Sequence, residues 1–196
     1  MSKSKKMILQ VYFIICVFFV LDCLLYYFKE ISLRGYYSDV VLSWVWLISS
    51  FVIIIVFWKK LISKLFLATI LVTFALSIIA MMLPFYALLL SSTSLGLYQN
   101  KDLNENYRAQ IVGYGVMVQP WLEVIEKKGL FEKRIIKCTD SEIMNDNLDI
   151  KTRTAKDILF KNETDSTLTL TLFYGGPNKT IIFDKKTGSI AAIKSN

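Results

Sequence analysis

The chain has 196 residues, no His, three Cys, and 23 Lys and Arg against 16 Asp and Glu, a formal net charge of +7. At 54% hydrophobic residues and a mean hydropathy of +0.46, it is too apolar for a disordered chain and too poor in cysteine for a disulfide scaffold. The lack of His excludes histidine triads, HExxH zinc sites and zinc fingers that need imidazole ligands. A basic membrane protein is what these figures leave.

Three apolar runs are long enough to cross a bilayer, which takes about 20 residues. They cover residues 7–28, 40–58 and 65–90, and only the first contains a charge, Asp22. The first run is too long for the core of a signal peptide and no A-x-A site follows it, so it reads as an uncleaved anchor. Lys3, Lys5 and Lys6 precede the first run, Lys29 and Arg34 follow it, and Lys59, Lys60 and Lys64 lie between the second and third. By the positive-inside rule this favours a cytoplasmic N-terminus and an extracytoplasmic C-terminal region. Tyr26, Tyr27, Tyr36, Tyr37, Trp44 and Trp58 fall near the span ends, where amphipathic rings sit at the headgroups.

Within the third run, Thr69, Thr73, Ser77, Ala80, Pro84 and Ala87 fall within about 80° of one another on a helix. Small and hydroxylated stripes of this kind let membrane helices approach closely. Ser43 and Ser50 on the second run and Cys16 and Cys23 on the first are spaced to face such a stripe. Pro84 offers a bend point. Asp22 lies roughly 7 Å past the midpoint of its run at 1.5 Å per residue, still inside the hydrocarbon layer. An ionisable group there costs on the order of 2.5–3.5 kcal/mol at the span centre and less away from it. Asp22, with Thr69, Thr73 and Ser77, therefore marks either a packing site between helices or an intramembrane functional site.

Residues 91–106 are polar and read as a tether between a three-span anchor (1–90) and a β-rich domain (107–196). From Tyr107 the hydrophobic period becomes two. Residues 107–118 read as a strand, with Gly113 and Gly115 marking a bulge or a close approach. Trp121 to Cys138 reads as a hairpin turning at Lys127-Lys128-Gly129. Residues 139–149 read as a polar loop, and residues 154–161 as either a short helix or a strand. The strict alternation Thr167-Leu168-Thr169-Leu170-Thr171-Leu172 predicts a strand with one buried face. Turns at Gly175-Gly176-Pro177-Asn178 and Lys185-Lys186-Thr187-Gly188 separate it from two more. The expected fold is α+β: three transmembrane helices followed by an antiparallel meander of five or six strands, with one short helix.

No catalytic constellation emerges. Cys138 lacks the imidazole a thiolate nucleophile usually uses, and no phosphate-binding glycine loop, dinucleotide fingerprint or EF-hand spacing occurs. Glu123 with Glu126, and Asp146 with Asp149, read as solvated surface charges. Asn162-Glu163-Thr164 and Asn178-Lys179-Thr180 match glycosylation sequons, but 19 Lys to 4 Arg with abundant Ile and Asn inclines toward a bacterial source, where sequons are idle. The expectation is a non-enzymatic, multi-pass protein of a bacterial plasma membrane, without cofactor or metal. Its external domain would bind a protein or envelope component, an immunity-type protective protein being a special case. Trp121, Phe131 and Tyr174 are the candidate partner-binding aromatics. The alternative is an accessory subunit of a transporter or channel. Most of the basic excess flanks the spans: residues 1–64 hold eight basic and three acidic residues, residues 91–196 fifteen and thirteen. The charge therefore gives no sign of a nucleic-acid partner.

Overall fold

The computed structural model describes residues 3–79, 83–115, 119–144 and 151–195. The chain divides into two units, Met1–Ser94 and Leu95–Asn196.

The first unit is helical. Helices α1 (Lys3–Lys29), α2 (Tyr36–Val56) and α3 (Leu61–Ile78) are each long and apolar enough to cross a membrane, and the chain is a multi-pass integral membrane protein. The short strand β1 (Ile31–Leu33) lies between the first two helices. Gly35, at φ +89°, turns the chain into α2, and Asp39 in its first turn accepts the Leu33 N–H at 3.2 Å, placing a carboxylate where the helix dipole favours one. The third apolar run does not form one bent helix. It is shared between α3 and a separate α4 (Leu83–Thr93), because Ile79 caps α3 in an extended conformation. Pro84 falls in the first turn of α4, where a missing N–H leaves no helical bond unmade.

Helices α1 and α2 meet along an aromatic and hydroxyl seam. Phe19 stacks on Trp46 with ring centroids 4.9 Å apart, and Tyr12 exchanges a 3.1 Å hydrogen bond with buried Ser50. Ser50 thus serves α1, not the third run it was expected to face. Trp44 ties α2 to α4 by donating its indole N–H to the Ser92 carbonyl at 3.0 Å.

The second unit is built from two antiparallel sheets. One contains β2 (Leu97–Asp102), β3 (Tyr107–Val112), β4 (Trp121–Lys128) and β5 (Phe131–Thr139) in the order β5-β4-β3-β2. The other contains β6 (Asp157–Glu163), β7 (Thr167–Phe173), β8 (Lys179–Asp184) and β9 (Ile190–Ser195) in sequence order. Their inward faces form a single core: Ala109, Ile111, Leu122, Val124 and Ile136 from the first sheet, Ile158, Leu168, Leu170, Leu172, Ile181 and Phe183 from the second. The strand count exceeds the expected five or six because two segments conceal strands. Residues 97–102, expected in the tether, form β2, whose polar residues suit a strand at the sheet margin. Residues 154–161 resolve into the end of a 3-10 turn and β6. The expected loop at 139–149 begins with a single helical turn, α5 (Asp140–Ile143), held by a capping box between Thr139 and Glu142. Val118, Asp146 and Asp149 lie outside the described residues.

One side of the two sheets is laced by side chains. Gln99 donates to the Lys156 carbonyl at 3.1 Å, Lys101 meets Asp157 at 2.6 Å, and Glu163 accepts from Tyr107 at 2.8 Å and Lys185 at 2.5 Å. Each of β2, β6 and β9 also carries a bulge: the ladder skips Tyr98, Lys161 and Ala191. Ile135 of β5 is a fourth such residue. The close approach expected near Gly113 is present. The Gly113 N–H donates to the Gly96 carbonyl at 2.8 Å, and a Cβ on Gly96 would lie 2.6 Å from the Tyr114 ring.

Candidate functional site

The membrane residues singled out by sequence do not converge. Ser77 is buried and Thr73 half-buried, whereas Thr69 faces outward. Thr69 and Ser77 donate to carbonyls one turn back in their own helix, Leu65 at 3.1 Å and Thr73 at 2.8 Å. Such back-bonding satisfies the hydroxyls without a cross-helix partner. Ala80 lies outside the described residues, and Pro84 and Ala87 belong to α4. Cys16 is half-buried but Cys23 is exposed, so the cysteines do not form a common packing stripe. Asp22 is half-buried on α1 and forms no hydrogen bond or ion pair among the described residues.

Polar chemistry concentrates instead in the β-rich unit, at two places. The first is a buried chain of groups across β3, β4 and β5, on the face of that sheet opposite the core. Arg108 donates through Nε and Nη2 to Glu132 Oε2, both at 2.7 Å, and through Nη1 to Gln110 at 2.5 Å. The Gln110 amide donates to Glu123 Oε2 at 2.6 Å, while Trp121 and Arg134 donate to Glu123 Oε1 at 2.8 and 3.0 Å. Arg108, Gln110, Glu123 and Glu132 are all buried. Glu123 is therefore not a solvated surface charge: three donors replace the water it gives up. Glu126, beside Lys128 at 2.9 Å, remains partly exposed. Being three apart, the two point to opposite faces of β4, and what each face meets decides the difference. The register pairs Glu123 with Gln110 and Glu126 with Tyr107.

This chain of bonds also fixes Trp121. Its N–H is taken by Glu123, Tyr114 meets its ring edge-on at 5.8 Å, and the Lys137 ammonium lies 4.5 Å from the ring centroid. Of the other two candidate aromatics, Tyr174 packs against the core, and Phe131 stands exposed at the start of β5.

The second place is the end of the core near α5. Buried Asp140 accepts the Thr152 N–H at 2.9 Å and the Thr152 hydroxyl on Oδ1, while Oδ2 has no partner among the described residues. Fully buried Lys179, on the inward face of β8, donates to the Ile143 carbonyl at 3.1 Å. Burial and the Asp140 charge push the Tyr174 hydroxyl up to about 12. Burial, with the Glu142 and Asp140 carboxylates, pushes the Cys138 thiol up to about 12 as well. A thiol so placed stays protonated near neutrality and is a poor nucleophile. Among the described residues, no group of three or more His, Cys, Asp or Glu is placed to hold a metal ion.

The accessible surface differs in character from both polar clusters. The outward face of the second sheet exposes Leu159 and Phe173 diagonally across β6 and β7, beside half-buried Thr169 and Ile182 paired across β7 and β8, while Thr171 and Thr180 share a 2.9 Å hydroxyl bond and are buried. Leu159 is 39% and Phe173 37% exposed. Charges occur at the margin of this face, with Asp157 opposite Phe173 and Lys194 opposite Thr180. No family model, curated protein or solved structure matches the chain.

Proposed function

We propose that the protein is a non-enzymatic, membrane-anchored binding protein whose β-rich domain recognises a protein or envelope component through the outward face of its second sheet. The observation that carries this reading is the composition of that face: two exposed large apolar side chains beside half-buried Thr169 and Ile182, with charges at the rim, the layout of a recognition patch. The bulges at Tyr98, Lys161 and Ala191 favour recognition by this face over strand addition at an edge, since a bulge disrupts the ladder an incoming strand would extend. The lysine distribution supports a cytoplasmic N-terminus and an extracytoplasmic domain, and the Lys-rich composition supports a bacterial plasma membrane. An immunity-type protein that intercepts a membrane-acting or periplasmic toxin is one form of this activity.

A photo-crosslinking residue at position 173 in the full chain, in native membranes, tests the reading. A discrete protein adduct or envelope adduct is expected at 173 and not at position 186. The adduct is expected to disappear with Leu159→Lys while the protein still folds. Adducts unchanged by Leu159→Lys would overturn the proposal.

The accessory-subunit reading is favoured by one observation, the half-buried Asp22 without a partner among the described residues. A carboxyl group at membrane depth generally finds a polar partner, and a neighbouring subunit could supply it. Under this reading Asp22→Asn weakens co-purification with a membrane partner, and a chain that purifies alone in mild detergent argues against it.

A further inference from the structure

The β4–β5 hairpin ends in an apolar tip. Gly129 adopts φ +65°, the left-handed conformation that a tight hairpin turn demands. The next two residues are not the polar residues usual at such a turn: Leu130 is 80% exposed and Phe131 46%. Lys128 stands directly opposite Phe131, and Lys133 lies two residues further along β5. Lys133 is exposed and makes no ion pair among the described residues. Lys128 pairs with Glu126 at 2.9 Å but keeps its side chain 58% exposed, and Lys133 stands opposite the same Glu126, so two exposed lysines share one carboxylate. Lys127 is held by Asp102 at 2.5 Å and is not counted.

We propose that this tip is a lipid-docking loop. Leu130 and Phe131 enter the boundary between headgroups and acyl chains, and the Lys128 and Lys133 ammonium groups meet the headgroup phosphates. Apolar residues flanked by lysines are the chemistry of a segment lying in a membrane interface. The chain itself crosses a bilayer. Residues 94–96 separate the end of α4 at Thr93 from the start of β2 at Leu97, a link of about 14 Å when fully extended. The register aligns Leu97 with Val112 and Trp121, at the sheet end away from the tip, so docking requires the first sheet to lie along the membrane over the length of β4, about 26 Å. The proposal is independent of the binding face on the second sheet and can hold if that reading fails.

The test uses the full chain carrying Cys16→Ser and Cys23→Ser, with Leu130→Cys labelled by a nitrobenzoxadiazole probe. Thr187→Cys, in the β8–β9 turn of the same domain, is the reference. Both proteins are reconstituted in phosphatidylcholine vesicles containing phosphatidylglycerol. The probe at 130 is expected to be quenched by spin-labelled lipid and to be several-fold less accessible to aqueous iodide than the probe at 187. Phe131→Ser, and separately Lys128→Glu with Lys133→Glu, are expected to return the tip to iodide. Equal iodide quenching at the two sites would overturn the proposal. So would shielding from iodide without quenching by spin-labelled lipid, since that pattern means protein, not lipid, covers the tip.

Discussion

Gln110 stands directly opposite Glu123 in the β3–β4 register, and its side-chain amide donates to the Glu123 carboxylate at 2.6 Å. Because Gln110 also accepts from Arg108, this one residue joins two buried charged groups into a continuous chain of bonds.

That continuity makes Glu123 a costly polar group to remove. Glu123→Ala leaves Trp121, Arg134 and Gln110 each with an unmet donor, and loss of about 3–5 kcal/mol is expected for breaking a buried pair. Glu123→Gln, which keeps the shape, is expected to lose less. Denaturant unfolding of the full chain in detergent, followed by tryptophan emission, measures both. A Glu123→Ala midpoint equal to that of the parent chain would contradict the buried role.

The Arg108–Glu132 pair should respond differently to single and double replacement. Arg108→Met strands a buried carboxylate and is expected to destabilise strongly, whereas Arg108→Met with Glu132→Leu removes both charges and recovers most of that loss. The same unfolding experiment, run as a double-mutant cycle, supplies the coupling energy. Strictly additive losses would mean that the two side chains are not paired.

Cys138 and Tyr174 contribute to the alkaline limb of stability. Their ordinary values are 9.0 and 10.0, and in the folded protein both are pushed up to about 12. The unfolded chain therefore loses these protons first, and stability falls as pH rises. The contribution is complete below pH 9 for the thiol and below pH 10 for the phenol, and it is lost as pH climbs toward about 12. Thermal melts from neutral to strongly alkaline pH are expected to show a flatter limb for Cys138→Val and for Tyr174→Phe. In native protein near neutrality, maleimide labelling of Cys138 is expected to be negligible until the chain unfolds.

Gly188 is irreplaceable on two grounds. It adopts φ +69°, and a Cβ there would come within 2.6 Å of the Ile135 carbonyl, a backbone atom that cannot swing aside. Gly188→Ala is expected to lower the melting temperature by more than the same change at Gly129, where a Cβ meets nothing within 4 Å despite a similar φ. Comparable losses at the two sites would show that backbone conformation alone is responsible.

The proposed orientation can be read chemically. With Lys186→Cys, a membrane-impermeant maleimide is expected to label intact cells. With Lys59→Cys, labelling is expected only after the membrane is opened. The reverse pattern would invert the topology.

The apolar helices and the alternating strand β7 were legible because each is a local pattern: uninterrupted hydrophobicity in one case, period two in the other. What escaped depends on pairing. Strand β2 is polar, and only the β3 ladder opposite makes it a strand. Residues 154–161 look ambiguous in isolation because a 3-10 turn runs into β6 within a few positions. The polar centre was hidden for the same reason. Period two puts Glu123 and Glu126 on opposite faces of β4, but only the strands beside them make one a buried acceptor of three bonds and the other a surface ion pair. In the membrane, hydroxyl spacing suggested a shared seam, but Thr69 and Ser77 satisfy themselves within one turn, a choice that spacing does not encode.

The bulges at Tyr98, Lys161 and Ala191 carry a consequence for crowding. A domain carried by membrane helices diffuses in two dimensions, so neighbouring copies meet far more often than soluble domains do, and with a shared up-down orientation. Regular strand margins under those conditions would let copies zip into lateral ribbons. An extra residue in each such strand puts its backbone out of step with a neighbour's, and the domain can be abundant in its membrane without polymerising there.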